Sequence, residues 1–305
     1  MENFIHYFPI SGVKTCIFLP PVVMLLISSA VSLGGISGAF ILLPFQMSIL
    51  GYTTPGVSAT NFVYNIVAIP SGIYKYFKNR QLSWTISLSV MIGAIPGIFI
   101  GYYIRIKYLP DPVHFKIFVG SILGLLGIKV LKSAINNYKK NIYNMYIKKN
   151  YFSIVKENLG IFKSEIYLEN SYYRFNTLFL SIISFAVGII GTSYGIGGGA
   201  ILAPFCVSVL ELPVYIVSGA VLFSTWINSV IAAIVYSSLS HKMGVDAFPD
   251  WQLGILFGIG GIFGVYIGSS LQRWVPERII KFILGIVLIF ICIEYMKTLK
   301  AFLES

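Results

Sequence analysis

Apolar runs of about 18 residues or more recur from one end of this 305-residue chain to the other. At ~1.5 Å per residue, a helix of about 20 such residues crosses the roughly 30 Å hydrocarbon core of a bilayer. Only 11% of the residues are charged, 56% are hydrophobic, and the mean hydropathy is +0.82. Soluble domains carry roughly 25% charged residues, and a larger core would not explain the shortfall. The sequence therefore reads as an all-α, polytopic helical membrane protein whose first partner is the lipid bilayer.

One stretch occurs twice. GGISGAFILLPFQMSIL runs from Gly34 to Leu50, and GIGGGAILAPFCVSVL from Gly195 to Leu210. With Gly35 placed on Gly195 at constant offset, Ile36, Gly38, Ile41, Leu42, Pro44, Phe45, Ser48 and Leu50 also meet identical residues. Glycines and a proline inside apolar sequence mark a helix broken between spans. The pieces after the turns, Ala39 to Leu50 and Ala200 to Leu210, rise only about 18 Å or less as helix, too short for an ordinary span.

The other segments follow the same order in both halves. Thr15 to Leu33, Val57 to Phe77, Trp84 to Ile104 and His114 to Val130 correspond to Phe175 to Thr192, Val214 to Leu239, Leu253 to Leu271 and Ile279 to Tyr295. Gly93, Gly97 and Gly101 in one half, and Gly260, Gly264 and Gly268 in the other, form small-residue faces for close helix packing. The expected organisation is two homologous repeats of four to five apolar segments, residues 1–133 and 175–305, joined by a linker over 134–174. Eight spans with parallel repeats follow if the short broken helices do not cross, and ten spans with inverted repeats if they do. The charge pattern leaves that parity open.

The net charge of +11 gathers around the linker, at Lys129, Lys132, Lys139, Lys140, Lys148, Lys149, Lys156, Lys163 and Arg174. This places the linker in the cytoplasm, beside the cell membrane, rather than on nucleic acid. No period is visible in it, and some helix along the interface is expected.

Asp and Glu total 11, and they lie in loops or near segment ends, Asp250 among them. Cation carriers need a carboxylate within the membrane, so the site suits a small anionic substrate. A broken helix exposes N–H groups at its new N-terminus with roughly half a positive charge, and glycine lets a ligand approach them. Gly35, Gly38, Gly195, Gly197, Gly198 and Gly199 are the candidates, each group followed by a proline, Pro44 or Pro204. The next helix adds uncharged donors: Thr60, Asn61 and Asn65 in one half, and Ser224, Thr225 and Asn228 in the other. A three-residue shift of the alignment places Asn65 over Asn228, and Trp226 falls beside this cluster. Arg105 falls in the loop after the Trp84 to Ile104 segment. Cys16, Cys206 and Cys292 are far apart, and His6, His114 and His241 lack metal-ligand spacing. With no triad, P-loop or carboxylate pair, neither an enzyme nor a cofactor is expected. A homo-oligomer stays open, as do a non-transporting assembly protein and, lacking an acid/base pair, a membrane-embedded enzyme.

The duplicated glycine turn with its following proline, the Ser/Thr–Asn helix and the GxxxG-bearing helix together resemble the sulfite exporter TauE/SafE family of membrane transporters. The resemblance covers nearly the whole chain apart from the linker. GIGGGAILAPF is close to the family pattern, whereas Ser37 and Ala39 stand where the family more often has glycine. The resemblance implies a transporter of small anions, often sulfite or organosulfonates, with about seven or eight spans in two repeats. It implies a site at Gly195, Gly197, Gly198, Gly199, Pro204, Ser224, Thr225 and Asn228, with Gly35, Gly38, Pro44, Thr60, Asn61 and Asn65 as counterpart. A site at the repeat interface, worked by alternating access, is the expected mechanism.

Overall fold

The computed structural model describes residues 4–136, 153–169 and 171–271, together with residues 282, 285–286, 288–290 and 292–297. The helices of the first half are α1 (Leu19–Val31), α2 (Ala39–Ser48), α3 (Gly56–Lys78), α4 (Trp84–Lys107) and α5 (Pro112–Asn136). Those of the second are α6 (Thr177–Tyr194), α7 (Gly199–Ser208), α8 (Val214–Met243) and α9 (Trp251–Leu271). The expected last segment, Ile279 to Tyr295, falls largely outside the described residues.

Local chemistry sets the boundaries. Pro20 and Pro21 occupy the first turn of α1, where free N–H groups would go unpaired anyway. Ser83 caps α4 by accepting Ile86 N–H at 3.2 Å, and Asn176 caps α6 by accepting Phe179 N–H at 3.0 Å. Among the described residues, α4, α5, α6, α8 and α9 are long and apolar enough to cross a membrane, and α1 and α2 are shorter apolar helices. The chain is thus a multi-pass membrane protein. α3 is long but more polar, because Ser58, Thr60, Asn61 and Asn65 are buried along it, between α2, α8 and α9.

The glycine faces find partners across the halves. Gly260, Gly264 and Gly268 of α9 press on α1 at Pro21, Leu25 and Ser29. Gly93, Gly97 and Gly101 of α4 press on α6 at Ser181, Phe185 and Ile189. Residue numbers rise together, so each pair runs parallel, and each half lends its first helix to the fourth helix of the other. Gly254 and Gly258 meet Val63 and Val67, so α9 also runs with α3. Ser87 meets Ala220, and Tyr102 meets Ser240, so α4 runs with α8. Between α3 and α8 the order reverses: Phe62 packs against Tyr236, Asn65 meets Ser229, Ile66 meets Trp226, and Gly72 meets Leu222. Hence α1, α3 and α9 point one way and α4, α6 and α8 the other. The chain between Gly35 and Pro55 runs back against both α1 and α3.

This geometry makes a labelling prediction. Exposed Lys78 ends α3, and exposed Asp246 follows α8, at opposite ends of an antiparallel pair. On a background with Cys16, Cys206 and Cys292 replaced by serine, Lys78→Cys and Asp246→Cys react with a membrane-impermeant maleimide from opposite sides. Same-side labelling would contradict the helix directions.

Two small antiparallel sheets flank the helices. β1 (Ile5–Phe8) and β2 (Val13–Cys16) form a hairpin. β3 (Ile154–Asn158), β4 (Ser164–Leu168) and β5 (Tyr172–Phe175) form a three-stranded sheet. The helix expected within the linker is replaced by strands over these residues. The reason is a period-two pattern masked by composition: Ser164, Ile166 and Leu168 are buried, and Tyr167 between the last two is exposed. The sheet sits at the end of the bundle where α4 begins. Ile154 N–H donates to Arg80 O at 2.9 Å, and Glu157 accepts Trp84 N–H at 2.9 Å. At the other end, Ser11 of the β1–β2 hairpin donates its hydroxyl to Asp250 at 2.7 Å. Asp250 is not a solvated loop carboxylate: it is 1% exposed and caps α9 by accepting Leu253 N–H at 3.0 Å.

Candidate functional site

Both glycine turns lie where the two halves meet. Gly35 closes the 3₁₀ turn Ser32–Gly34 with φ of 71°, and Gly195 ends α6 with φ of 93°. Both values belong to the left-handed region that glycine enters without strain. Each turn lies flat on a serine of the other half's central helix. A methyl group at Gly195 would lie 2.7 Å from Ser58 Cα, and one at Gly35 would collide with Ser218. The separation that superposes Gly35 on Gly195 also superposes Ser58 on Ser218. One contact is therefore made twice, with the halves exchanged.

The same separation places Ser37 on Gly197 and Asn65 on Thr225. Ser37 Oγ donates to Asn65 Oδ1, while Gly197 packs on Thr225, its absent methyl 2.8 Å from Cγ2. Thr225, not Asn228, is thus the structural counterpart of Asn65. The three-residue shift matched two asparagines by identity, but the seating of each turn on its helix fixes an unshifted register.

Proline shapes the short helices. Pro44 has no N–H, so within α2 the carbonyl of Phe40 loses its helical partner. Tyr194 Oη fills the vacancy, donating to Phe40 O at 2.7 Å. Since Tyr194 immediately precedes Gly195, the second turn is anchored on the first short helix. Pro204 occupies the matching place in α7.

Around these turns lies a buried polar knot. Asn65 Nδ2 donates to Ser229 Oγ at 3.1 Å, joining the first turn to α8. Asn61 Nδ2 donates to Ala39 O at 2.9 Å, and its Oδ1 accepts Gln46 Nε2 at 2.7 Å. Gly38 caps α2 beside the Ser28–Tyr64 hydroxyl pair, whose oxygens are 2.8 Å apart. Gly198 caps α7, and Gly199, its first residue, rests on Thr225. Asn228 is buried, and its Oδ1 has no partner among the described residues. Asn65, Thr225, Ser229 and the second turn thus converge.

Two of the expected donors point elsewhere. Thr60 donates to Gly56 O at 3.0 Å and accepts Asp250 N–H at 2.9 Å, at the hairpin end of the bundle. Ser224 donates to Ala220 O at 2.8 Å and to Ser87 O at 3.1 Å, on the seam with α4. Trp226 donates to Ile66 O at 3.1 Å and faces outward, lining an apolar groove of about 280 Å³ with Pro70, Ile73, Tyr74, Phe77 and Phe223. Among the described residues no group of three or more His, Cys, Asp or Glu could hold a metal.

Sequence reasoning missed Gln46, Ser229 and Arg105. Ser229 had a signal, as the neighbour of Asn228. Arg105 lies in no loop: α4 continues through it to Lys107, and the side chain is 0% exposed. Four residues beyond Gly101, it stays on the inward glycine face, whereas Lys107 reaches outward to Tyr103 Oη at 2.7 Å. Arg105 Nε donates to Ser58 Oγ at 3.2 Å, Nη1 donates to Leu109 O, and the guanidinium lies 3.6 Å over the Phe115 ring. Among the described residues its buried Nη2 has no partner and no carboxylate pairs with it. A desolvated charge left in this state costs several kcal/mol.

Comparison with known proteins covers this entire region. The family model described as sulfite exporter TauE/SafE matches residues 21–295. The probable membrane transporter protein YunE of Bacillus subtilis (strain 168) is 25% identical over 286 residues, 90% of this chain and 95% of its own. The probable membrane transporter protein MJ0441 of Methanocaldococcus jannaschii is 30% identical over 116 residues, 36% of this chain and 41% of its own. No solved structure matches. With both glycine turns, the central helices they press on and the polar knot inside the matched residues, the chain belongs to the TauE/SafE family of membrane transporters.

Proposed function

We propose that this transporter carries small oxyanions, sulfite and organosulfonates foremost, through a site between two inverted repeats. The repeats are residues 1–133 and 175–305, and the basic linker over 134–174 lies on the cytoplasmic side. The observation that carries this reading is the reciprocal contact of Gly35 with Ser218 and Gly195 with Ser58. A pathway that opens alternately to two sides needs two equivalent seals of opposite orientation, and antiparallel α3 and α8 supply them. Between the seals, Asn65, Thr225, Ser229 and the N–H groups at the start of α7 are uncharged donors. In the closed arrangement they satisfy one another or lie buried. An entering oxyanion takes over these hydrogen bonds as one seal parts.

The test is uptake into proteoliposomes of radiolabelled sulfite, sulfate, thiosulfate, taurine, sulfoacetate and small carboxylates. At least one sulfur oxyanion is expected to enter faster than into protein-free vesicles, with unlabelled anion competing. Absence of flux for every anion, from protein that is monodisperse before reconstitution, overturns the proposal.

A further inference from the structure

The turn–serine seal at Ser58 has a charged neighbour. Ser58 Oγ donates to Ser193 O at 3.3 Å, next to the second glycine turn, and accepts from Arg105 Nε at 3.2 Å. Whatever moves the Gly195 turn therefore moves the partner of Arg105. A guanidinium presents five N–H donors in a planar fork matched to oxyanions. Here Ser58 and Leu109 occupy two of its nitrogens, Phe115 covers one face, and Nη2 stays unpartnered and fully buried. Tyr52 and Tyr236 are the other polar side chains near it. Asp250, the buried carboxylate at this end of the bundle, is already engaged by Ser11 and Leu253.

A purely structural pin explains this poorly. Glutamine would offer an N–H donor to Ser58 or Leu109 without placing an uncompensated cation inside a membrane protein. An intramembrane charge with no counter-charge among the described residues is suited to a counter-charge that arrives and leaves. Matching Gly93, Gly97 and Gly101 with Gly260, Gly264 and Gly268 brings Arg105 onto Gln272, an uncharged residue outside the described ones. Arg105 itself lies near the end of α4, the end of the bundle away from the β3–β5 sheet.

We propose that Arg105 is the charge-recognising residue for the transported anion, its free Nη2 pairing with an oxyanion oxygen as the Ser58–Gly195 seal opens. This rests on the oxyanion reading above. The anion meets a fixed positive charge at that end and neutral donors in the knot. Arg105 accordingly sets affinity for negative charge rather than the rate of the rocking step.

The experiment compares wild type, Arg105→Lys and Arg105→Gln in proteoliposomes, with labelled sulfite, sulfate, thiosulfate and sulfoacetate as probes and thermal melting in detergent as control. For each probe the wild type carries, Arg105→Gln is expected to raise KM at least about tenfold with little change in kcat and melting. Arg105→Lys, which keeps the charge but loses the fork, raises KM by only about two- to fivefold. A wild-type KM in Arg105→Gln overturns the proposal while leaving the transport reading intact. Equal loss of kcat and melting in both variants overturns it in favour of a pin. A folded wild type inert to all four probes overturns the oxyanion reading itself, and this proposal with it. Should Arg105→Gln fail to reach the membrane, Arg105→Lys decides: a raised KM at unchanged kcat supports the proposal, and an unchanged KM overturns it.

Discussion

Replacing Gly195 with valine is expected to remove the folded transporter from the membrane. The backbone there has φ of 93°, a region that costs a β-branched residue about 1–3 kcal/mol. The new side chain would start 2.7 Å from Ser58 Cα, and backbone cannot swing aside as a side-chain tip can. Overpacking of this kind adds about 1–3 kcal/mol, against a total stability of typically 5–15 kcal/mol. Size-exclusion of detergent-solubilised protein reads the outcome, with loss of the monodisperse peak expected. Gly244→Ala separates the two contributions. Its φ is 64°, yet nothing lies within 4 Å of the added methyl. That variant bears the backbone cost alone and keeps the peak. A wild-type profile for Gly195→Val would mean that the turn is not seated on α3.

The second large effect is on flux. Asn65→Leu is nearly isosteric but removes both the Ser37 and the Ser229 hydrogen bonds. Each abandoned hydroxyl costs about 1–3 kcal/mol, and the site loses the amide that bridges its halves. Initial uptake, normalised to reconstituted protein, is expected to fall at least about a hundredfold, equivalent to about 2.7 kcal/mol in the barrier. Ser224→Ala, on the α4 seam, removes an interhelical bond averaging about 0.6 kcal/mol and lowers uptake by less than about threefold. Equal losses in the two variants would reduce Asn65 to a packing residue.

The spans were legible because hydrocarbon imposes a length and a composition on any segment that crosses it. The proposed Val57 to Phe77 falls within α3, and Trp84 to Ile104 within α4. The glycine faces were legible as surfaces for close approach, but their partners were not. Spacing along one helix carries no information about which backbone arrives on it, or in which direction. That gap is why the sequence does not show that Gly260 lies on Pro21 and Gly93 on Ser181. The site was half legible. Glycine turns and an asparagine advertise themselves in apolar sequence, whereas Ser229 and Gln46 gain meaning only from what they face. Arg105 was lost for a physical reason too: a charge near a span end is ordinarily drawn out to the interface, as Lys107 is. Only the inward phase of the glycine face distinguishes it.

The exchange of first helices between halves bears on how the protein is made. α1 is synthesised long before the groove that receives it, on α9, which is completed only at Leu271. A nascent chain holding α1 to α5 therefore has two glycine-dependent seams unfilled, that of α1 and that of α4. Neither closes until the second half emerges from the ribosome and inserts. Late closure of long-range contacts is slow and leaves helix faces open to wrong partners. A first half released before α6 and α9 follow keeps both of these glycine-dependent seams open.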